Sequence, residues 1–193
     1  MNRYRLVVEQ LEFYFSDSNL IKDKFLSKSV QQSDQGWISL DILLTFNKLT
    51  SMLNDLIKDQ QQTTTTTTTT KDALIEVISS EHFVHNNNTL TTNEDKSAIK
   101  RKSPFVFVKE LQQSIDERTI YIEPIAETAT HEQVHQLLST LGTIDNISIP
   151  RLPDKRTKGF AFVEFNQKQD AVNAIGTIRT NSDNRFNLRI LSK

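Results

Sequence analysis

Three short stretches of this 193-residue chain hold side chains whose types and spacing could do chemistry. The first is FYFSDSNL, Phe13 to Leu20, where three consecutive rings end an apolar-periodic run and small polar residues follow at once. Rings so placed either fill a core or stack on something flat, and a base stacked on a ring gains about 1–3 kcal/mol. The second is KGFAFVEF, Lys158 to Phe165. Strand alternation puts Phe160, Phe162 and Glu164 on one face, and Ala161, Val163 and Phe165 on the other. The second set suits packing under helices, so two rings are left pointing outward unless a helix or a partner covers them. Tyr121, in TIYIEPI, supplies a third ring on the neighbouring strand. The third stretch is HEQVH, His131 to His135, which fits the H-E-x-x-H pattern of two zinc ligands with Glu132 as general base. A catalytic zinc needs a third protein ligand and an open water position. His82 and His85 lie in the other half of the chain and no acid is placed to complete a site. The helix has a simpler task in burying Val134 and Leu138, so neither metal, cofactor nor catalysis is expected.

Composition bounds what can position these residues. Hydrophobic residues make up 36% of the chain, enough for a real core in one large or two small domains. The absence of cysteine removes disulfides and thiolate sites and fits a reducing compartment. No apolar run reaches membrane-spanning length, and MNRYRLVVEQLEF lacks the apolar core of a signal peptide. A formal charge of −1 excludes a broad polyanion binder, so a nucleic-acid site would have to be local and rest on stacking and hydrogen bonds as well as charge.

The first half reads as mostly helical, with Val7, Leu11 and Phe15 at helical spacing from a start near Arg3. SDSN then stops and restarts the chain, Ser18 or Asn19 capping a helix LIKDKFLSKSV. Gly36 precedes a short strand WIS, and Ser39 caps LDILLTFNKL. The run QQQTTTTTTTT, Gln60 to Thr70, reads as a solvated loop, followed by a helix KDALIEVISS. HFVH and SAIKRK, flanking the polar turn HNNNTLTTNEDKS, are expected to form a hairpin, which gives a winged-helix plan. Lys100, Arg101 and Lys102 form a basic cluster suited to a solvated wing, nuclear import or phosphate contact. The second half alternates as βαββαβ, with Gly142 ending the helix HEQVHQLLSTL.

KGFAFVEF matches the RNA recognition motif signature, whose aromatics lie on a sheet face and stack bases. QLEFYFSDSNLIKDKFL followed by GWISLDILLTFNKL resembles the La motif, and the two together resemble the La module of La and La-related proteins. DERTIYIEPI, ISIP and KGFAFVEF look closer to the La-related branch that binds a small nuclear RNA restraining a transcription-elongation kinase, to which a ciliate telomerase subunit also belongs. The fold class implied is α/β (α+β): a winged-helix La motif over 1–104 with the Thr-rich insertion 60–70, a linker 105–116, and a ferredoxin-like recognition motif over 117–193.

The resemblance implies a pocket for an RNA 3′ end finishing in uridines, built from Gln10, Phe13, Tyr14, Asp23, Phe25 and Phe46, with Asn47 beside it. Gln10, Phe13 and Tyr14 stand at i, i+3 and i+4 and share a helix face offset from the Val7, Leu11 and Phe15 stripe. Such stripes are more often core. The Gln10 amide both donates and accepts, as a uracil edge requires, whereas Phe13 departs from the family's commoner Tyr and loses one hydroxyl. Asp23 in a first helical turn would favour the dipole without any ligand. The family role is acceptance from both hydroxyls of a terminal ribose. Asn146 and Ile147 align with strand-edge positions brought against the same tail, and Tyr121, Phe160 and Phe162 are the sheet-face candidates. The resemblance thus implies a nuclear, monomeric RNA-binding protein that protects the 3′-oligouridine ends of polymerase III RNAs within a ribonucleoprotein. The alternatives are a genuine La protein chaperoning nascent transcripts such as pre-tRNA, and a protein-interaction scaffold. Branch members usually carry a further RNA-binding domain, which these residues do not contain, so selection of one RNA is not expected from this stretch.

Overall fold

The computed structural model describes residues 3–61, 68–106, 108–180 and 188–193, and part of the expected Thr-rich loop, 62–67, lies outside them. The chain divides into two units, Met1–Val106 and Phe107–Lys193. In the first, α1 (Arg3–Tyr14) buries Val7, Val8 and Leu11 as its spacing requires. It ends at an elbow: the Ser16 hydroxyl accepts from the Asn19 N–H at 3.2 Å, and the Asn19 amide donates to the Tyr14 carbonyl at 2.8 Å. Ser16 therefore caps α2 (Asp17–Lys22), where Ser18 or Asn19 was expected. A second break splits the anticipated single helix. Asp23 leaves helical geometry, and its carboxylate accepts from the Leu26 N–H at 2.9 Å, capping α3 (Lys24–Gln32). A short side-chain acceptor offers the backbone an alternative to the continuous ladder, and here it wins.

A 3-10 turn, Asp34–Gly36, leads into β1 (Ile38–Ser39). Gly36 takes a left-handed φ of +79°, which a side chain would oppose. Ser39 caps α4 (Leu40–Leu43) as expected, but LDILLTFNKL also breaks. The Thr45 hydroxyl donates to the Ile42 carbonyl at 2.7 Å, and the chain restarts as α5 (Asn47–Gln61). Thr69 then caps α6 (Thr70–Ser79) in a reciprocal box with Asp72, whose carboxyl is held below its usual range by the Thr69 hydroxyl and N–H. So the tract's last residues are part of a helix start. HFVH is not a strand: Ser80 caps it as α7 (Glu81–Asn86). The hairpin instead joins β2 (Leu90–Thr92) to β3 (Ala98–Arg101), and β1 completes an antiparallel sheet in the order β1-β3-β2. The core packs α1, α5 and α6 together through residues such as Leu11, Leu53 and Leu74.

The second unit begins with α8 (Lys109–Glu117), which buries Ile115 where the 105–116 segment was expected to be a plain linker. The expected βαββαβ order follows: β4 (Thr119–Glu123), α9 (His131–Leu138), β5 (Ile144–Ser148), β6 (Ala161–Phe165), α10 (Lys168–Thr180) and β7 (Arg189–Ser192). The antiparallel sheet runs β5-β6-β4-β7. Thr130 and Gln133 start α9 with a capping box. The helix ends at Leu138, before Gly142; a Cβ at Gly142 would lie 2.6 Å from Asp170, so close approach explains that glycine better than termination does. Ala161, Val163 and Phe165 pack under the helices with Ile120 and Leu138. Glu164 faces the other way, yet it is only 1% exposed, because Arg118 reaches it at 2.9 Å. The same guanidinium donates to Asp145 at 2.7 Å and to the Phe165 carbonyl at 2.9 Å.

Two stability predictions follow from these contacts. Thr69→Ala removes the α6 cap and should lower unfolding free energy by about 0.5–2 kcal/mol, while Thr68→Ala should be neutral; an unchanged urea midpoint for Thr69→Ala would contradict the capping role. Arg118→Ala leaves the Glu164 carboxylate buried without its counter-charge and should destabilise the second unit by about 3–5 kcal/mol, with Arg118→Ala combined with Glu164→Gln recovering part of the loss. Amide hydrogen-exchange protection in β4 and β6 reads the effect, and unchanged protection would refute it.

Candidate nucleic-acid interface

The three rings of the opening stretch divide their work. Phe15 is core, 2% exposed, while Phe13 and Tyr14 remain half-buried on the other face. Around Tyr14 the fold gathers residues from the end of α1 and the starts of α3 and α5. Phe46, just before α5, meets Tyr14 edge-on at 4.8 Å between ring centres and Phe25 at 6.1 Å. Thr50 fixes that position by donating its N–H to the Phe46 carbonyl at 3.0 Å and its hydroxyl to the Leu44 carbonyl at 2.9 Å. Phe25, in the first turn of α3, is 58% exposed, and Phe13 lies 6.2 Å from Tyr14. Asn47 is exposed at the start of α5.

Polar groups complete this site. Gln10 is buried at 6% exposure, and its Nε2 makes no proper hydrogen bond, although it sits close enough to the Tyr14 hydroxyl to stabilise an oxygen there. Burial raises the Tyr14 pKa; the Leu49 N–H opposes that, the nearby Asp23 charge adds to it, and the Gln10 amide opposes it weakly. Tyr14 is thus a neutral phenol at physiological pH. Asp23 contributes one oxygen to the Leu26 N–H and stands near enough for its charge to reach the Tyr14 hydroxyl. The site thus sets a cluster of rings, a buried amide donor and a carboxylate beside one another. The expected residues Gln10, Phe13, Tyr14, Asp23, Phe25 and Phe46 come together from positions spread over three dozen residues.

On the second unit Tyr121, Phe160 and Phe162 form a ring triad, with centres 5.4, 5.6 and 5.8 Å apart. The Tyr121 hydroxyl donates to Glu123, and that bond, then burial, raises its pKa. Asn146 pairs with Glu164 across the β5–β6 ladder and shares the ring face. Ile147 pairs with Val163 and packs against the core cluster, so the two expected strand-edge residues point to opposite faces. A β-bulge between Ile144 and Asn146 sets this phase. Arg118 and Glu164 escape sequence reasoning because a charged strand residue reads as solvated, and nothing local announces a partner so far away.

The basic cluster is engaged side chain by side chain. Arg101 donates to the Phe15 carbonyl at 3.0 Å and pairs with Asp17. Lys102 donates to the Asn87 carbonyl at 2.8 Å, and Lys100 lies 4.4 Å above the Trp37 ring. In HEQVH, Glu132 accepts from Gln136 at 2.9 Å, and among the described residues no three His, Cys, Asp or Glu converge as metal ligands.

Comparison with known proteins agrees with this architecture. Residues 7–65 match the La domain family and residues 120–185 the RNA recognition motif family. La-related protein 7 of Danio rerio is 32% identical over 170 residues, covering 88% of this chain and 26% of that protein. Lupus La protein homolog A of Xenopus laevis is 30% identical over 169 residues, covering 86% of this chain and 35% of that protein. The chain therefore spans about a quarter to a third of these curated relatives. Among solved structures, the La autoantigen N-terminal domain matches at 27% identity and a TM-score of 0.39, covering 53% of this chain and 89% of that one. Two domain matches in this order, on units that fold as described, show a La domain followed by an RNA recognition motif, the La module found in La and La-related proteins.

Proposed function

We propose that the first unit, as a winged-helix La motif, holds the 3′-hydroxyl end of an RNA finishing in uridines. The observation that carries this reading is the Gln10 amide: a buried donor lacking a hydrogen bond, beside a cluster of rings and a carboxylate. Leaving such a donor unsatisfied costs about 1–3 kcal/mol, which a uracil carbonyl would recover. Uracil enters with a ring on either side, and Asp23 accepts from the terminal 2′- and 3′-hydroxyls. A carboxylate has about four acceptor sites, so capping Leu26 leaves capacity for a diol. It offers no donor and repels a phosphate. Asn47 lies at the rim of the same site.

In the second unit the Tyr121, Phe160 and Phe162 rings stack neighbouring bases, and Asn146 offers an amide on the same face. The protein then acts without chemistry of its own, as a monomeric nuclear component that protects small polymerase III RNAs inside a ribonucleoprotein. The Danio rerio match supports the La-related branch, and a small nuclear RNA is the cargo we propose for it. Both matched domain families are RNA-binding families and are consistent with a protein that is not an enzyme.

A titration of short oligouridine with 3′-hydroxyl and 3′-phosphate ends tests the end recognition. Wild type should lose at least about tenfold in affinity for the phosphate end, equivalent to about 1.4 kcal/mol. Asp23→Asn is the informative variant, because Asn caps a helix as well as Asp and keeps the fold while removing the charge. It should weaken binding to the hydroxyl end and narrow the gap between ends, whereas Phe160→Ala should leave the gap intact. Equal wild-type affinity for both ends would sink the mechanism. Separately, elemental analysis of purified protein should find no stoichiometric zinc; one zinc per chain would revive HEQVH as a pair of zinc ligands with Glu132 as general base.

A further inference from the structure

We infer a second RNA contact in the first unit, independent of the RNA end: a cavity of about 410 Å³ beside the β2–β3 hairpin that takes one internal nucleotide. Its apolar lining comes from Phe15, Val30, Pro104 and Phe105. Its polar lining comes from Gln31 and Gln35, and its charge from Lys100, Arg101 and Lys102. The chain carries 24 acidic and 23 basic residues, yet among the described residues no Asp or Glu lines this cavity. Arg101 is compensated by Asp17. Lys100 and Lys102 are not: Lys100 meets the neutral Gln35 amide oxygen at 3.3 Å and the Trp37 ring, and Lys102 meets a backbone carbonyl. Two half-engaged cations therefore stand over an apolar bed with amides at its side.

That combination fits a nucleotide closely. A base fills the bed, the glutamine amides meet its polar edge, and the flanking phosphate draws the lysines. An acidic peptide would satisfy the lysines but not a bed flanked by amide groups, and an apolar helix would strand the cations in a dry contact. Phe15 backs the cavity and follows directly on Phe13 and Tyr14, so the elbow between α1 and α2 presents the aromatic site on one side and this cavity on the other. The inference needs only RNA binding by the module; it holds wherever the 3′ end sits.

The test uses the full chain and three oligouridines: a 4-mer and a 12-mer with 3′-hydroxyls, and a 12-mer with a 3′-phosphate. Lys100→Ala should weaken both 12-mers at least about threefold, lower the log–log salt slope by about 0.7, and leave the 4-mer unchanged. Lys100→Arg should keep the wild-type slope, which separates loss of charge from loss of fold. If wild type binds the two 12-mers equally while Lys100→Ala still weakens both, end recognition fails and this contact stands. Two results overturn it. One is unchanged 12-mer affinity and slope in Lys100→Ala, as expected if the hairpin serves a protein partner. The other is an equal loss on 4-mer and 12-mer, which would mean there is no separate site.

Discussion

The first unit depends on the turn between α1 and α2 being held from three directions. Ser16 and Asn19 tie it locally, and the Arg101 guanidinium clamps it from the hairpin through the Phe15 carbonyl and Asp17. Because the chain bends there, Phe15 is buried in the core while Tyr14, beside Gln10, stays within reach of the Asp23 charge. A straight helix through residues 13–22 would keep these groups on a single rod and carry Asp23 away from them. The bend also sets Asp23 at a helix start, where the carboxylate is fixed by the Leu26 N–H. A group so oriented loses little further freedom when it accepts from a ligand.

The second unit uses a different device. Its sheet could offer a long ring-bearing platform, but at the β5 side Glu164 is sealed under Arg118 and Asp145. Burying charges is expensive, and only the threefold engagement of the guanidinium makes it tolerable. The result is a sheet with two regions: a stacking area of three rings and a rigid ionic patch that locks the bulged strand carrying Asn146. With a near-neutral chain, such local definition replaces a broad positive field.

Much of this was legible because short-range physics wrote it. Alternation in KGFAFVEF placed Ala161, Val163 and Phe165 inside, and Val134 and Leu138 on one face of HEQVHQLLSTL marked α9. The helical spacing of Gln10, Phe13 and Tyr14 defined a face, but only the resemblance distinguished it from core. The misreadings share a cause. Asp23 and Ser80 look like ordinary helix or strand residues until their side chains are seen bonding the backbone three residues on, which splits one helix and turns HFVH into another. Ile115 stands one turn after Leu111, a helical signal in the segment read as a linker. Contacts between distant positions, such as Arg118 with Glu164 or Lys100 with Trp37, leave no local trace at all.

The cap at Thr69 bears on how such a sequence survives copying. A run of one residue type can gain or lose identical residues without changing what flanks it. Helix α6 needs a hydroxyl three places before Asp72, and from Thr63 to Thr70 every residue supplies one. Gaining or losing a threonine therefore returns a threonine to the capping place, and the box with Asp72 re-forms unaltered. The head of the helix is then the same whatever the number of threonines before it. A mixed-sequence insertion would have no such protection: each gain or loss would bring a different side chain to the head of the helix.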